Sequence, residues 1–308
     1  MMKKTGAVVA VFLLLLCSCF QERKATLRIA EQYGLAYAPL QIMKEKKLIE
    51  KIYPEARVEW KKLANTAAIR EAVLSGGLDA GFMGIPPFLI ARDRGMKWKI
   101  ATGLSQAPLG LVVPAGRYNS LADFPRNKKI ALPQPGSIQH ILLTMACAGE
   151  RGKASALDGS LIAMKHPDGM NALLSGAVEG HFTSPPYLFH ETDDPEFELL
   201  LSGEEAMGEP FTFIVGVVTE DFQEKNPVLY RHFLQAVEQA ILFIKENPEE
   251  TAALIGNAYS LDTGKVKDFL YRPGMVFETE VRGLERFIQF MNREGYLEKL
   301  ITEGSVCF

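Results

Sequence analysis

Cysteine, histidine and tryptophan are scarce in this chain, at 4, 5 and 2 of 308 residues. No CxxC pair and no Cys/His spacing of a zinc site occurs, so neither a resident metal nor a dithiol centre is expected. Gly-x-Ser-x-Gly, His-Glu-x-x-His and Gly-x-x-x-x-Gly-Lys-Ser/Thr are missing too, which removes the familiar nucleophile, zinc-hydrolase and P-loop chemistries. There is no excess of basic charge: 34 Lys and Arg stand against 37 Asp and Glu. A binder of nucleic-acid phosphates carries the opposite balance, so nucleic acid is not an expected partner. No apolar run approaches the roughly 20 residues that span a bilayer as a helix.

What is present is an ordinary globular composition, 47% hydrophobic and 23% charged, with 26 Gly and 17 Pro scattered along the chain. Its length predicts one large or two medium α/β units. Met1-Met2-Lys3-Lys4 precedes an apolar run from Ala7 to Leu16 and then Cys17-Ser18-Cys19. Ten helical residues reach about 15 Å, half of a hydrocarbon core, so the run reads as the centre of an export signal. Its end looks like a bacterial lipobox, with Leu16 three residues before Cys19 and the small Ser18 directly before it. Residues 1–18 are therefore expected to be a lipoprotein signal peptide, Cys19 the lipidated mature N-terminus, and 19–26 a linker. Cleavage there leaves 32 basic against 37 acidic residues, a net charge of −5. Cys147 and Cys307 read as free thiols.

Beyond the linker the chain runs twice through one plan. Leu27-Arg28-Ile29-Ala30, then Gln32-Tyr33-Gly34, then a helix through Ile42, Met43 and Leu48 is matched by Lys129-Ile130-Ala131-Leu132, Gln134-Pro135-Gly136 and a helix with Ile138, Leu142 and Met145. A closer match sets Leu74-Ser75-Gly76-Gly77-Leu78-Asp79-Ala80-Gly81-Phe82 against Leu174-Ser175-Gly176-Ala177-Val178-Glu179-Gly180-His181-Phe182, an offset of 100 residues. Each copy predicts a helix closed by a glycine, a short buried strand and a rigid Pro-Pro-aromatic loop, Pro86-Pro87-Phe88 or Pro185-Pro186-Tyr187. Two such repeats predict two α/β lobes. The apolar runs Leu109 to Val113 and Phe213 to Val218 have strand length and suit a crossing between lobes. Asn226-Pro227 and Asn247-Pro248 mark helix starts. Leu284, Phe287, Ile288 and Met291 form a core stripe between Glu278 and Ile301.

These residues resemble the solute-binding lipoproteins of ABC importers, in the branch that handles nitrate, alkanesulfonates, taurine and thiamine-precursor pyrimidines. The carriers are Tyr37-Ala38-Pro39-Leu40, Lys44 to Ile49, the segment Leu74 to Phe88, Ser120-Leu121-Ala122-Asp123-Phe124 and Pro135-Gly136-Ser137, in that order behind the lipobox. The resemblance implies a periplasmic-binding-protein-like α/β fold with two crossing hinge strands and a ligand cleft between lobes. It places residues 27–108 plus 216–308 in one lobe and 109–215 in the other. It implies a small organic or oxyanionic ligand and an ABC permease and ATPase complex as partner. Contact with the membrane would run through the lipid anchor alone, and no cofactor is implied.

Open α/β sheets place ligand sites beyond the carboxyl ends of their strands, where helix N-termini offer unpaired N–H groups. First-lobe contacts are expected from Gln32, Tyr33, Gly34, Tyr37, Gly84, Ile85 and Pro86, and second-lobe contacts from Gly136, Ser137, His140, Thr183 and Ser184. His181 takes the small-residue slot opposite Gly81 and reads as an interior histidine outside the site. No expected loop position is Lys or Arg, so Tyr33, Tyr37, Phe88 and Tyr187 favour stacking on an organic ligand over nitrate. An enzyme of the same fold is the first alternative. A pyrimidine synthase of that kind would need a Cys-Cys-Cys-Phe-Cys segment, which is absent. A ligand-sensing surface lipoprotein is the second.

Overall fold

The computed structural model describes residues 25–308 apart from 33, 64 and 65. The expectations for Cys19, for the leader and for Tyr33 lie outside the described residues. The first half of the chain forms β1 (Thr26–Glu31), α1 (Ala38–Glu45), α2 (Leu48–Ile52), β2 (Arg57–Lys62), α3 (Thr66–Leu74), β3 (Ala80–Gly84), α4 (Ile85–Asp93) and β4 (Trp98–Ser105). Next come β5 (Gly110–Pro114), β6 (Ile130–Leu132), α5 (Ile138–Glu150), β7 (Leu161–Ala163), α6 (His166–Leu174) and β8 (Gly180–Thr183). They are followed by α7 (Tyr187–Thr192), β9 (Phe197–Ser202), α8 (Gly203–Met207) and β10 (Ile214–Thr219).

Two five-stranded sheets result, in the orders β2-β1-β3-β10-β4 and β7-β6-β8-β5-β9. The two orders are the same design. In each sheet the strand next to the last is antiparallel to its neighbours and comes from the other half of the chain. The runs read as crossing strands are β5 and β10, each entering the opposite sheet, and the crossings are the short segments 106–109 and 208–213. β10 reads Ile-Val-Gly-Val-Val-Thr and is buried through Val218, as a strand flanked on both sides must be.

The 100-residue repeat is visible as structure. Gly76 and Gly176 end α3 and α6 with φ of 69° and 71°, the left-handed closure that a side chain would disfavour. The acid three residues before each repeated Phe is anchored. Asp79 accepts from the Arg28 backbone and guanidinium at 2.8 Å, and Glu179 accepts from Arg117, Tyr118 and Lys128. One expectation differs between copies. Pro86 and Pro87 lie inside the first turn of α4 rather than in a loop, where a missing N–H costs nothing; in the second copy Pro185-Pro186 is a loop with a cis bond.

The chain finishes with α9 (Glu220–Lys225), α10 (Pro227–Glu246), α11 (Pro248–Tyr259), α12 (Thr263–Leu270), α13 (Leu284–Arg293) and α14 (Glu303–Val306). α10 packs on α1 and α2 through buried Phe233, Val237 and Ile244. Asn226 and Asn247 do occupy N-caps, yet their side chains donate back to Phe222 and Phe243 carbonyls instead of capping. The stripe read between Glu278 and Ile301 is helical over α13 alone, because Gly283 enters it at φ 73°. Residues 275–282 instead lie along β4 and the crossing, with Gly103 N–H on Thr279 O and Gln106 paired to Val276. Cys147 and Cys307 are free, the first buried.

Candidate functional site

Between the sheets lies a cavity of about 500 Å³, within the range of small-molecule sites. One wall comes from the first sheet: Gln32, Gly34, Ala36, Tyr37, Gly84 and Pro87, with Phe213 and Ile214 where β10 begins. The facing wall is built from Gln134, Ser137, Ile138, Gln139, Lys165, His166, Ser184 and Tyr187, with prolines among them. The walls meet at Gly84, where a Cβ would lie 3.5 Å from that of Ile138.

The first wall is held from behind. Glu31, buried at the end of β1, accepts from Gln41 and Lys44 of α1 at 2.7 Å each, which fixes the turn carrying Gln32 and Gly34. Gln32 spends its amide on the Phe82 carbonyl at 3.1 Å, leaving its own oxygen as the group available to the cavity. Burial beside Tyr259 pushes the Tyr37 hydroxyl well above its ordinary pKa, so this wall is apolar, aromatic and neutral.

The facing wall is polar and positive. Gly84, Ser137 and Lys165 are the N-caps of α4, α5 and α6, and all three line the cavity. These starts are not equivalent as donors. α4 has Pro86 and Pro87 in its first turn and α6 has Pro167, whereas α5 opens Ile138-Gln139-His140. Only the third N–H of α5 is taken, by the Ser137 hydroxyl at 3.3 Å. The Ile138 and Gln139 N–H groups have no intrahelical acceptor, as first-turn donors never do. Lys165 adds a formal positive charge, and among the described residues the lining contains no Asp or Glu.

His166, half-buried, stacks on Tyr187 with centroids 5.7 Å apart, and its Nδ1 lies 3.0 Å from Thr183 Oγ1. Burial first, and the nearby His181 second, hold its imidazole far below the ordinary value, at about 3, so the ring is neutral. Behind it His181 Nδ1 meets Glu191 Oε1 at 2.5 Å, both side chains fully enclosed. Burial lowers His181 to about 3 and raises Glu191 to about 8. The pair is therefore neutral, with the carboxylic acid donating to the ring. His181 is interior as expected, although its Nε2 has no partner.

Of the residues expected from sequence, Gln32, Gly34, Tyr37, Gly84, Ser137 and Ser184 line this cavity. Ile85 and Pro86 are buried beneath it in α4. Thr183 lies under His166 rather than on the wall, and Gly136 is off the wall, its N–H donating to His140 Nδ1. His140 is turned away, edge-on to Tyr296 at 5.8 Å and 3.7 Å from Asp158. Phe88 faces the core against Trp98 instead of the cleft. Sequence reasoning missed Lys165, His166, Gln134 and Gln139, so the cavity lining carries a cation at a position outside the expected loops. The available signal was the repeat itself: tracing α3 and α6 back from their matched ends reaches Thr66 and His166, and Pro167 marks a helix start.

Relatives place this geometry. A Bacillus subtilis (strain 168) protein assigned to aliphatic sulfonate binding is 26% identical over 285 residues, covering 87% of this chain and 82% of its own. The alkanesulfonate-binding protein SsuA of Xanthomonas axonopodis pv. citri, solved with MOPS, superposes with a TM-score of 0.78 at 20% identity over 92% of this chain and 98% of its own. The nitrate-binding protein NrtA of Synechocystis PCC 6803 gives 0.69 at 18%, over 89% and 82%. A Candida albicans protein described as having the generic periplasmic binding protein fold gives 0.69 at 14%, over 89% and 91%. The NMT1-like family model matches residues 21–256, more than three quarters of the chain, and with the two-sheet architecture this shows that the chain belongs to the NMT1-like family and has the periplasmic-binding-protein fold.

Proposed function

We propose that this protein is the extracytoplasmic solute-binding component of an ABC importer and that its cargo is a small organic molecule with an oxyanionic head. The observation that carries the reading is the α5 start. Ser137, Ile138 and Gln139 of that start, with two first-turn N–H groups that lack an intrahelical acceptor, line a cavity that also holds Lys165 and, among the described residues, no carboxylate. Helix N-termini attract anions through those donors and the helix dipole. Facing them, Tyr37, Pro87, Phe213 and Ile214 offer an apolar surface that an inorganic anion would leave unused, so head and tail each have a wall. The relatives that bind sulfonates support this reading. Gln32, Gly34, Tyr37 and Gly84 would hold the tail side; Gln134, Ser137, Gln139, Lys165, His166 and Ser184 the head.

Residues 27–108 plus 216–308 would move as one body and 109–215 as the other, swinging on the two crossings. Cargo that touches both walls favours the closed form, and a permease and its ATPase would read closure as the loaded state. Anchoring through a lipid on Cys19 would hold the protein at the outer face of the cytoplasmic membrane or in the periplasm. Thermal-shift screening against alkanesulfonates, nitrate and neutral pyrimidines tests the cargo. Stabilisation by sulfonates with an organic tail, and little by nitrate or pyrimidine, is expected; a response to neutral pyrimidines alone refutes it. Radiolabelled-palmitate incorporation should vanish in Cys19→Ser and persist in Cys17→Ser.

A further inference from the structure

Outside the cavity, a cluster around Arg272 joins the two lobes through side chains, as the His140 and Tyr296 rings do elsewhere. Arg272, just after α12 on the first-sheet side, reaches Asp193, just after α7 on the second-sheet side, with two parallel bonds of 2.8 and 2.9 Å. Its guanidinium lies 4.8 Å from the ring centres of both Phe189 of α7 and Phe269 of α12. Those rings pack on each other at 5.4 Å and are 6% and 5% exposed. Asp268, one turn before Arg272, accepts from the same guanidinium at 3.0 Å and holds it in place. His190 stands edge-on to Phe269 at 4.9 Å. None of these residues lines the cavity.

We propose that Arg272 is a clasp between the lobes: a positioning residue that favours the closed form independently of cargo and thereby sets the affinity for cargo. Surface ion pairs are usually worth little. This one differs in being bidentate and in being seated against both rings of an apolar aromatic pair that separation of the lobes would wet. A contact that favours closure raises the fraction of molecules already competent to bind, and apparent affinity scales with that fraction. The interdigitation also selects arginine over lysine, whose ammonium offers a point charge and no planar fork.

The proposal assumes the two-body movement given under Proposed function, and its first test uses no solute. Solution scattering on the full chain compares the parent with Arg272→Ala, Asp193→Ala and the double variant, and uses Lys225→Ala, an exposed pair within α9, as control. Each clasp variant should have a larger radius of gyration than parent and control, with unchanged far-ultraviolet circular dichroism. The double variant should be no wider than either single one, and Arg272→Lys should fall between. Unchanged radii in both single variants overturn the clasp, whatever the protein binds. The second test is calorimetry with an alkanesulfonate: about tenfold weaker affinity is expected for Arg272→Ala, carried by a lost closed fraction. Equal affinity alongside a widened radius also overturns it, whereas failure of the parent to bind any sulfonate refutes the cargo and leaves the scattering result standing.

Discussion

Replacing Lys165 with methionine keeps most of the side-chain volume and removes the formal charge that the cavity wall carries. The size of the effect depends on how much water screens that charge. At about 4 Å from an oxyanion, the attraction is about 1 kcal/mol in bulk water and about 4 kcal/mol at the effective dielectric of a partly enclosed protein site. Lys165 is an exposed N-cap, so the lower part of that interval applies, about 1–2 kcal/mol, or roughly five- to thirtyfold in affinity. Calorimetry with an alkanesulfonate should show this loss at low ionic strength. Raising the salt should weaken the parent more than Lys165→Met, since an exposed charge is screened over a Debye length of about 10 Å at 0.1 M. Parent-like affinity and parent-like salt dependence in Lys165→Met would refute an anionic head at this wall.

The neutral His181 and Glu191 pair predicts the pH profile of stability. Glu191, raised from 4.5 to about 8, costs stability as pH climbs through that interval; His181 and His166, lowered from 6.5 to about 3, cost stability as pH falls through theirs. Both signs follow from proton linkage, and because two histidines outweigh one carboxyl below it, the melting temperature should peak at about pH 6.5. Glu191→Gln retains a donor for His181 Nδ1 and has nothing to ionise, so its melting temperature should no longer decline between pH 6.5 and 8; profiles that coincide with the parent's above pH 6.5 contradict the neutral pair. Gly169→Ala sets two effects against each other. Alanine within α6 gains up to about 1 kcal/mol of helix propensity, but its Cβ would sit 2.5 Å from the enclosed His181 Nε2, and overpacking costs about 1–3 kcal/mol. Denaturant melts should show net destabilisation, and a more stable Gly169→Ala would mean that the ring yields freely.

The sequence made the repeat legible because its marks are local. A helix-closing glycine, an anchored acid and a buried strand recur at Gly76, Asp79 and Phe82 and at Gly176, Glu179 and Phe182, each dictated by a few neighbouring residues. The cavity was legible where it is made by turns directly after strands, as at Gln32, Gly34, Gly84 and Ser137. It was not where helix phase decides. Three residues past Ser137, the ring of His140 is carried round to Tyr296, and Phe88 at the fourth position of α4 is carried into the core. Nothing in the local pattern reports such a rotation. Lys165 and His166 sit at the start of α6, whereas the repeat marks only the ends of α3 and α6, and the Arg272 clasp joins positions 79 residues apart.

The exchange of β5 and β10 bears on the order in which the chain acquires its structure. β10 lies between β3 and β4, so a ribosome that has completed residues through Ser105 has made two edges of a gap whose filler is still more than a hundred residues away. Until Thr219 has emerged, Phe82 on one edge and Thr102 on the other lack the backbone that separates them, and the ladder of β3 has no antiparallel partner. The second sheet completes first in synthesis, because β5 to β9 are contiguous. Long-range pairing of this kind slows folding, and here it postpones closure of the first sheet until β10 has been made, after every strand of the second sheet already exists.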